Sequence, residues 1–441
     1  MNSSAPGLVP DARTSAESAA IALIDPSAIA RSIEDFARIT EPGAGVTRLA
    51  YTELEREAHR LFAEEMSRLG LTVTVDAVGN SIAELPGGSP GRTAAVGTGS
   101  HLDSVPSGGR FDGIAGVSAA IETARVMVES GMQRRRPWRF VVFAAEEGAR
   151  FGQACNGSRV AAGLTTSADL ATLVDKDGIS IEAAMARVGL QPDAAASARW
   201  RSGDWAAFIE LHIEQGNVLE TNGARIGAVD IISGSSRLMV SVTGTATHTG
   251  ATPMHLRRDA LVAASECVLR SEQLATDPFH RGTRITVGRL DVSPGSITTI
   301  PGRVVFTVDI RDFDSQRQRE TMSELIRSFT SISAARGVEI EIETIGDTSP
   351  VVLPLSLVER IADAAHTQGL RYRMMPSGAS HDAQQISRVT PTGMIFIPSR
   401  GGLSHVPAEW SSSEDIAAGT AVLIRALAGI DAGAADDGEA S

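Results

Sequence analysis

Halfway along the chain, from about residue 226 to residue 345, the hydrophobic pattern changes rhythm. Residues 237–243 alternate apolar and polar side chains as a half-buried strand does, 259–274 carry apolar residues at helical spacing, and 283–290 and 303–311 read as two further strands. A second helix over 316–336 and a last strand over 338–344 complete the series. Few architectures satisfy a β-α-β-β-α-β order, because both helices must cover one face of a single sheet. The order predicts a ferredoxin-like α+β layer.

The flanking sequence follows another plan. Before the change, residues 93–96 and 139–145 read as buried strands and 53–69 and 117–129 as helices; after it, 355–368 and 415–427 are helical and 392–398 form a strand. Strands alternating with helices predict an α/β domain. We therefore expect an α/β catalytic domain in two parts, residues 21–225 and 346–430, interrupted by a smaller domain over residues 226–345. Residues 1–20, a Ser/Ala/Pro mixture, and the small acidic tail 431–441 are expected to be disordered.

Composition excludes several classes of function. The 53 acidic residues against 40 basic ones leave a formal charge of -13, which argues against nucleic acid as a partner. The one tight basic run, Arg134-Arg135-Arg136, reads as a solvated loop. No apolar stretch approaches the roughly 20 residues of a membrane helix, and the opening segment lacks the pattern of a secretion signal, so a cytoplasmic protein is expected. Cys155 and Cys267 lie far apart without ligand-like spacing, which fits a reducing compartment.

Open parallel sheets place ligand sites beyond the carboxyl ends of their strands, and five of the nine histidines fall in such strand-end motifs. The first motif is Gly99-Ser100-His101-Leu102-Asp103-Ser104-Val105, followed by Gly108-Gly109-Arg110-Phe111-Asp112-Gly113. Here His101 can offer a neutral ring nitrogen to a cation, with Asp103 accepting a hydrogen bond from the other nitrogen, and Asp112 can bridge two cations. A structural turn explains His-x-Asp alone equally well. The second motif closes the apolar run Phe140 to Ala145 with Glu146-Glu147-Gly148-Ala149-Arg150-Phe151. Adjacent carboxylates are costly to bury unless they meet positive charge; with cations present, one can ligate while the other takes a proton from water. An exposed acid pair would explain the motif in isolation.

In the third motif, Phe208-Ile209-Glu210-Leu211-His212-Ile213-Glu214-Gln215-Gly216, alternation puts Glu210, His212 and Glu214 on one strand face. The fourth is Gly402-Leu403-Ser404-His405-Val406-Pro407-Ala408-Glu409. A lone histidine is more often structural than a ligand. Together, His101, Asp112, Glu147, His212 and His405 form a nitrogen and oxygen donor set suited to two borderline divalent cations such as zinc.

These four motifs, in this order, resemble the M20 metallopeptidase superfamily, and more narrowly its hydantoinase/carbamoylase branch of N-carbamoyl-L-amino acid hydrolases, β-ureidopropionases and allantoate amidohydrolases. The phrases GSHLDSVPSGGRFDGIAGV, EEGARFG and HIEQG carry the resemblance, which covers nearly the whole chain. It implies an α/β metallopeptidase-like catalytic domain with an inserted ferredoxin-like dimerisation (lid) domain, and hence a homodimer. It also implies two divalent metal ions, zinc first and manganese, cobalt or nickel as alternatives. His101 and His212 would hold one, Glu147 and His405 the other, with Asp112 bridging and Glu146 as general base. On the substrate side it implies that Gln215 contacts substrate. His248, in Gly244-Thr245-Ala246-Thr247-His248-Thr249-Gly250, would complete the partner subunit's site by stabilising the oxyanion. Arg311, in Asp309-Ile310-Arg311, would grip the substrate carboxylate with its planar fork, a strand-face salt bridge being the alternative. His381, in Ser377-Gly378-Ala379-Ser380-His381-Asp382-Ala383, would line the site.

Two positions depart from the branch pattern. In Ser296-Ile297-Thr298-Thr299-Ile300-Pro301, Thr298 stands where an asparagine usually contacts substrate, exchanging an amide that both donates and accepts for a hydroxyl. Ser380 stands where glycine is more usual. Neither is an expected ligand, so both bear on the choice of substrate. The expected reaction is hydrolysis of a carbamoyl or ureido C–N bond on a small carboxylate substrate, with Asp103, Glu146 and His248 in catalytic roles. An aminopeptidase or dipeptidase would use the same donor set, and a metal-binding scaffold without turnover is the remaining alternative.

Overall fold

The computed structural model describes residues 12–89 and 91–433. They form two compact units. One contains the described residues up to Asp230, Leu353–Met375 and those from His381 onward; the other contains Ile231–Val352 and Pro376–Ser380. The strands, in chain order, are β1 (Thr72–Val75), β2 (Ser81–Leu85), β3 (Ala95–His101), β4 (Trp138–Phe143), β5 (Trp205–Ile213), β6 (Ile226–Ile232), β7 (Gly234–Thr243), β8 (Arg284–Ser293), β9 (Arg303–Asp312), β10 (Glu339–Thr348), β11 (Val351–Val352), β12 (Tyr372–Ser377) and β13 (Thr392–Ile397).

The larger sheet runs β1-β2-β4-β3-β5-β13-β6, with β11 and β12 paired to β6. Its centre, β4-β3-β5-β13, is parallel, and β2 and β6 flank it antiparallel. β3 and β13 are buried along their whole length, as expected of strands covered on both faces. The helix Ile114–Ser130 packs on β3, β4 and β5, and the long helix Ser413–Ala432 packs on β3, β5 and β13. Gly99 marks how close the central strands lie, since a Cβ there would stand 1.8 Å from the Val141 carbonyl oxygen of β4.

The second unit is the β-α-β-β-α-β layer. Its sheet runs β10-β7-β9-β8, all antiparallel, and the helices Ala260–Thr276 and Ser315–Arg336 pack onto it. Leu238, Val240, Val242, Val304, Phe306 and Phe329 fill the space between. The fold class is the one expected from sequence, an α/β domain carrying a ferredoxin-like insert. The chain enters the second unit at Ile231 rather than at 226, because β6 belongs to the larger sheet through Ala228 and Gly227, opposite Ile395 and Phe396 of β13; at the far end, β10 continues to Thr348.

Three local expectations fail. Residues 12–20, expected to be disordered, belong to the helix Ala12–Ile21, because Ala20 is fully buried and Arg425 of the long helix reaches Glu17 at 3.8 Å. The basic run is tied down rather than solvated. The buried Asp431 carboxylate accepts from the backbone N–H groups of Arg135 (2.9 Å) and Arg136 (2.6 Å), and the Arg134 side chain donates to the Pro86 carbonyl. The same contacts explain why Asp431 and Ala432, assigned to the tail, end the long helix instead. Residues 1–11 and 434–441, also expected to be disordered, lie outside the described residues. Among the described residues no helix is long and apolar enough to cross a membrane, and Cys155 and Cys267 are free and buried.

Candidate metal centre

The carboxyl ends of the four parallel strands point their following loops to one place. His101 ends β3, Glu146 and Glu147 follow β4, His212 lies near the end of β5, and His405 follows β13. The turn after β4 is fixed by an unusual set of acceptors. Beyond Phe143 the backbone leaves the sheet, and four successive N–H groups are taken up by buried side chains. Asn80 accepts from Ala144 (2.9 Å), Glu55 from Ala145 (2.8 Å), and the two oxygens of Asp103 from Glu146 (2.9 Å) and Glu147 (2.8 Å). A buried amide left unpaired costs about 1–3 kcal/mol, so these acceptors decide where the turn goes. Ala145 takes a left-handed φ of 55° within it.

Asp103 therefore does a different job from the one expected. The Nδ1 of His101 lies 3.2 Å from the main-chain oxygen of Asp103, whereas the carboxylate Oδ1 stands 3.6 Å away, beyond hydrogen-bond range. His212 repeats the arrangement, its Nδ1 lying 2.9 Å from the Ile213 carbonyl. Both carbonyls can only accept, so both rings donate from Nδ1 and leave Nε2 as the nitrogen that faces the carboxylates and is available to a cation.

Asp112 sits between two clusters. Its Oδ1 lies 3.1 Å from His212 Nε2 and 3.7 Å from His101 Nε2; its Oδ2 lies 3.2 Å from the Nε2 of His405, which also stands 3.5 Å from Glu147 Oε1. His101, Asp112 and His212 form one group with metal-ligand spacing, and Asp112, Glu147 and His405 form another. Glu146 belongs to neither; its Oε2 is 3.8 Å from His101 Nε2. A third group, Glu210, His212 and His381, shares His212. In it both oxygens of Glu210 are already engaged, by Ser100 Oγ and the Ala383 N–H, each at 2.8 Å. His381 packs edge-on against His212 with ring centres 4.6 Å apart.

The electrostatics call for cations. Burial pushes the Glu147 carboxyl well above the usual carboxylate range, and the Asp112 carboxylate beside it pushes the same way. Against its own burial, Asp112 is held well below that range by its bonds to His212 and His405. The bond to Asp112 in turn lifts His405 to about 9. Among the described residues no lysine or arginine pairs with Asp112, Glu146 or Glu147; only imidazoles do. A buried carboxylate group of this kind needs positive charge, and its imidazole nitrogens and carboxylate oxygens fit a pair of divalent cations.

Several supporting residues escaped the sequence reading. Glu409 accepts from the N–H groups of Phe111 (2.9 Å) and Asp112 (3.0 Å) and from Ser404 Oγ (2.8 Å), so it orients the shared carboxylate; its place in the His405 motif was the available signal. Glu55, 90 residues from the amide it holds, and Asn80, 64 residues from its own, gave no signal at all. Glu214, placed by alternation on the ligand face, instead accepts from Val218 and Leu219 at the start of the helix Val218–Asn222.

Of the expected substrate residues, Gln215 and His381 lie in this unit. Gln215, at a left-handed φ of 58°, donates from Nε2 to Asp112 Oδ2 (2.8 Å), and its buried Oε1 has no partner among the described residues. His248, Thr298 and Arg311 lie in the second unit. There the Thr298 carbonyl accepts from Thr249, and His248 bridges to Thr299, so the two loops are neighbours. Arg311 donates to Asp309 Oδ2 (2.8 Å) and Ser380 Oγ (3.2 Å), which is the strand-face pairing kept as its alternative.

Gly113 supplies a test of the first cluster. It adopts a φ of 67°, and a Cβ there would lie 2.6 Å from the His101 ring and 2.5 Å from the His101 carbonyl. Gly113→Ala is expected to displace that ring and lower the divalent-cation content measured by plasma mass spectrometry by roughly half, one of two sites. Undiminished content would contradict the arrangement.

Comparison with known proteins places the chain in a family. The profile of peptidase family M20/M25/M40 matches residues 97–429. An N-carbamoyl-L-amino-acid amidohydrolase of Paenarthrobacter aurescens is 40% identical over 403 residues, 91% of this chain and 97% of that protein. A ureidoglycolate hydrolase of Oryza sativa is 36% identical over 410 residues, 92% of this chain and 84% of that one. The crystal structure of an amidase of the hydantoinase/carbamoylase family from Burkholderia vietnamiensis superposes with a TM-score of 0.86 at 36% identity, covering 92% of this chain and 97% of that one. With strand-end histidines and carboxylates gathered as such a site requires, the chain belongs to peptidase family M20/M25/M40, in its hydantoinase/carbamoylase amidase branch.

Proposed function

We propose that the protein is a two-cation amidohydrolase that cleaves the carbamoyl C–N bond of an N-carbamoyl-L-amino acid or a closely related ureido carboxylate. The observation that carries this reading is the sharing of one carboxylate, Asp112, between two histidine-containing clusters while Glu146 stands beside His101 and within neither cluster. In it His101 and His212 would hold one cation and Glu147 and His405 the other, with Asp112 shared. Zinc suits the donor set best, with manganese, cobalt or nickel as substitutes. When bound there, the cations polarise the scissile carbonyl and acidify the attacking water. Glu146 takes the proton from that water and returns it to the leaving nitrogen.

The remaining residues fit recognition of a ureido group and a carboxylate. Gln215 has its amide nitrogen committed to Asp112, so its buried Oε1 is an acceptor suited to a ureido N–H. His248 Nδ1 accepts from the N–H groups of Gly250 (3.0 Å) and Ala251 (3.2 Å), which puts the ring proton on Nε2. A donor in that state suits an oxyanion, and we place it in the partner subunit's site of a homodimer. Asp309 holds the Arg311 guanidinium from Nε, and Nη2, free among the described residues, is left for a substrate carboxylate. Two free, buried thiols suit a reducing, cytoplasmic setting.

The 40% identity to a carbamoylase supports N-carbamoyl-L-amino acids as the first substrates to try, with ureidoglycolate, allantoate and 3-ureidopropionate as the alternatives. Incubating the cation-loaded protein with all four and with dipeptides, while ammonia and free amine are measured, separates these; release of amine from dipeptides alone would make it a peptidase. Glu146→Gln is expected to lower kcat by roughly 10²–10⁴ with cation content unchanged, and turnover at the parental rate would remove Glu146 as the base. Arg311→Ala is expected to raise KM for carboxylate substrates roughly 10-fold or more, the scale of one charge-assisted hydrogen bond. An unchanged KM would leave Arg311 with only its bond to Asp309.

A further inference from the structure

The Glu146 carboxylate has a single hydrogen-bond donor among the described residues, and it is a thiol. Cys155 Sγ lies 3.0 Å from Oε1, while Oε2 is the oxygen beside His101. Cys155 is 1% exposed and takes a left-handed φ of 61°. The chain on either side pairs back onto the β4 turn: Cys155 N–H to the Glu146 carbonyl (2.6 Å), Asn156 N–H to Ala145 (2.9 Å) and Gly157 N–H to Ala144 (2.9 Å). Gly157 is required for this approach, since a Cβ there would stand 2.2 Å from Asn80 Oδ1. The same backbone that presents Glu146 thus also presents the thiol to it. Burial pushes the thiol well above its ordinary range and the adjacent Glu146 carboxylate adds to the effect, so the group is a protonated donor.

A glutamate's terminal torsion is broad and roughly two-fold, so an unrestrained carboxylate exposes either oxygen at many angles. We propose that Cys155 is a positioning residue for Glu146: its S–H holds Oε1 and so makes Oε2 the oxygen that receives the proton. In the reaction a proton passes from water to Oε2 and from Oε2 to the leaving nitrogen, and the thiol keeps its own proton throughout. The inference rests on the reading of Glu146 as general base.

The test uses the full-length, cation-loaded protein and the best substrate of the panel. Cys155→Ala is expected to lower kcat roughly 10-fold, the scale of a hydrogen bond to a charged group, with KM, cation content and Tm near the parental values. Cys155→Ser, which restores a donor, is expected to recover most of the loss. In the Glu146→Gln background, Cys155→Ala is expected to cost nothing further, because its effect passes through that carboxylate. One readout needs no substrate: the infrared S–H band that disappears in Cys155→Ala is expected to shift in Glu146→Gln. Parental kcat in Cys155→Ala, a serine variant as slow as the alanine one, or an S–H band indifferent to Glu146→Gln would each overturn the positioning role. Those outcomes leave the base assignment intact if Glu146→Gln is inactive; an active Glu146→Gln removes the base assignment itself.

Discussion

The carboxylate of Asp103 fastens the ends of two parallel strands to each other. It leaves β3 two residues after His101 and takes the N–H groups of both Glu146 and Glu147 beyond β4, so the spacing between the first imidazole and the two glutamates is set by a pair of buried hydrogen bonds. Glu55 and Asn80 extend the same device to the two amides before them. Charged acceptors make stronger bonds than neutral ones and cost more to leave unmet, so the turn has one low-energy course. The glutamates then differ in role because the turn directs them differently: Glu147 meets His405, while Glu146 stays between His101 and Cys155.

That rigidity stores a cost, which the proposed chemistry uses. Asp112 and Glu147 are buried beside each other, a placement that desolvation and like charge both oppose. Three imidazoles facing the carboxylates through Nε2 offset part of the cost, and two of them are held in place by a bond from Nδ1 to a backbone carbonyl. What remains is a preorganised set of ring nitrogens and carboxylate oxygens around an excess of negative charge. Cations bound there, as proposed, would relieve that excess.

Much of this was legible in the sequence because it is local. Alternation and helical spacing identified the insert, and strand-end motifs brought out His101, Asp112, Glu146, Glu147, His212 and His405, since each sits in a short segment whose composition is odd for a buried strand. What the sequence could not show is long-range pairing. The role given to Asp103 was wrong in its partner, because a main-chain oxygen outcompetes the carboxylate for His101, and nothing local reveals that the carboxylate is engaged 43 residues away. Glu55, Asn80 and Cys155 were invisible for the same reason. The N-terminal helix was missed because docking onto the long C-terminal helix, rather than any strong local pattern, holds it.

The substrate side depends on different physics. Gln215 is fixed by Asp112 itself, so the proposed recognition of a ureido group would be tied to the proposed placement of the cations. Everything proposed for the reaction depends on Asp112 serving two cations at once. Crystals of the cation-loaded protein, measured on both sides of the metal absorption edge, address that directly. The account predicts two anomalous peaks about 3.5–4 Å apart, one on each oxygen of Asp112, with Glu146 in contact with neither. A single peak, peaks away from Asp112, or Glu146 among the ligands would contradict it.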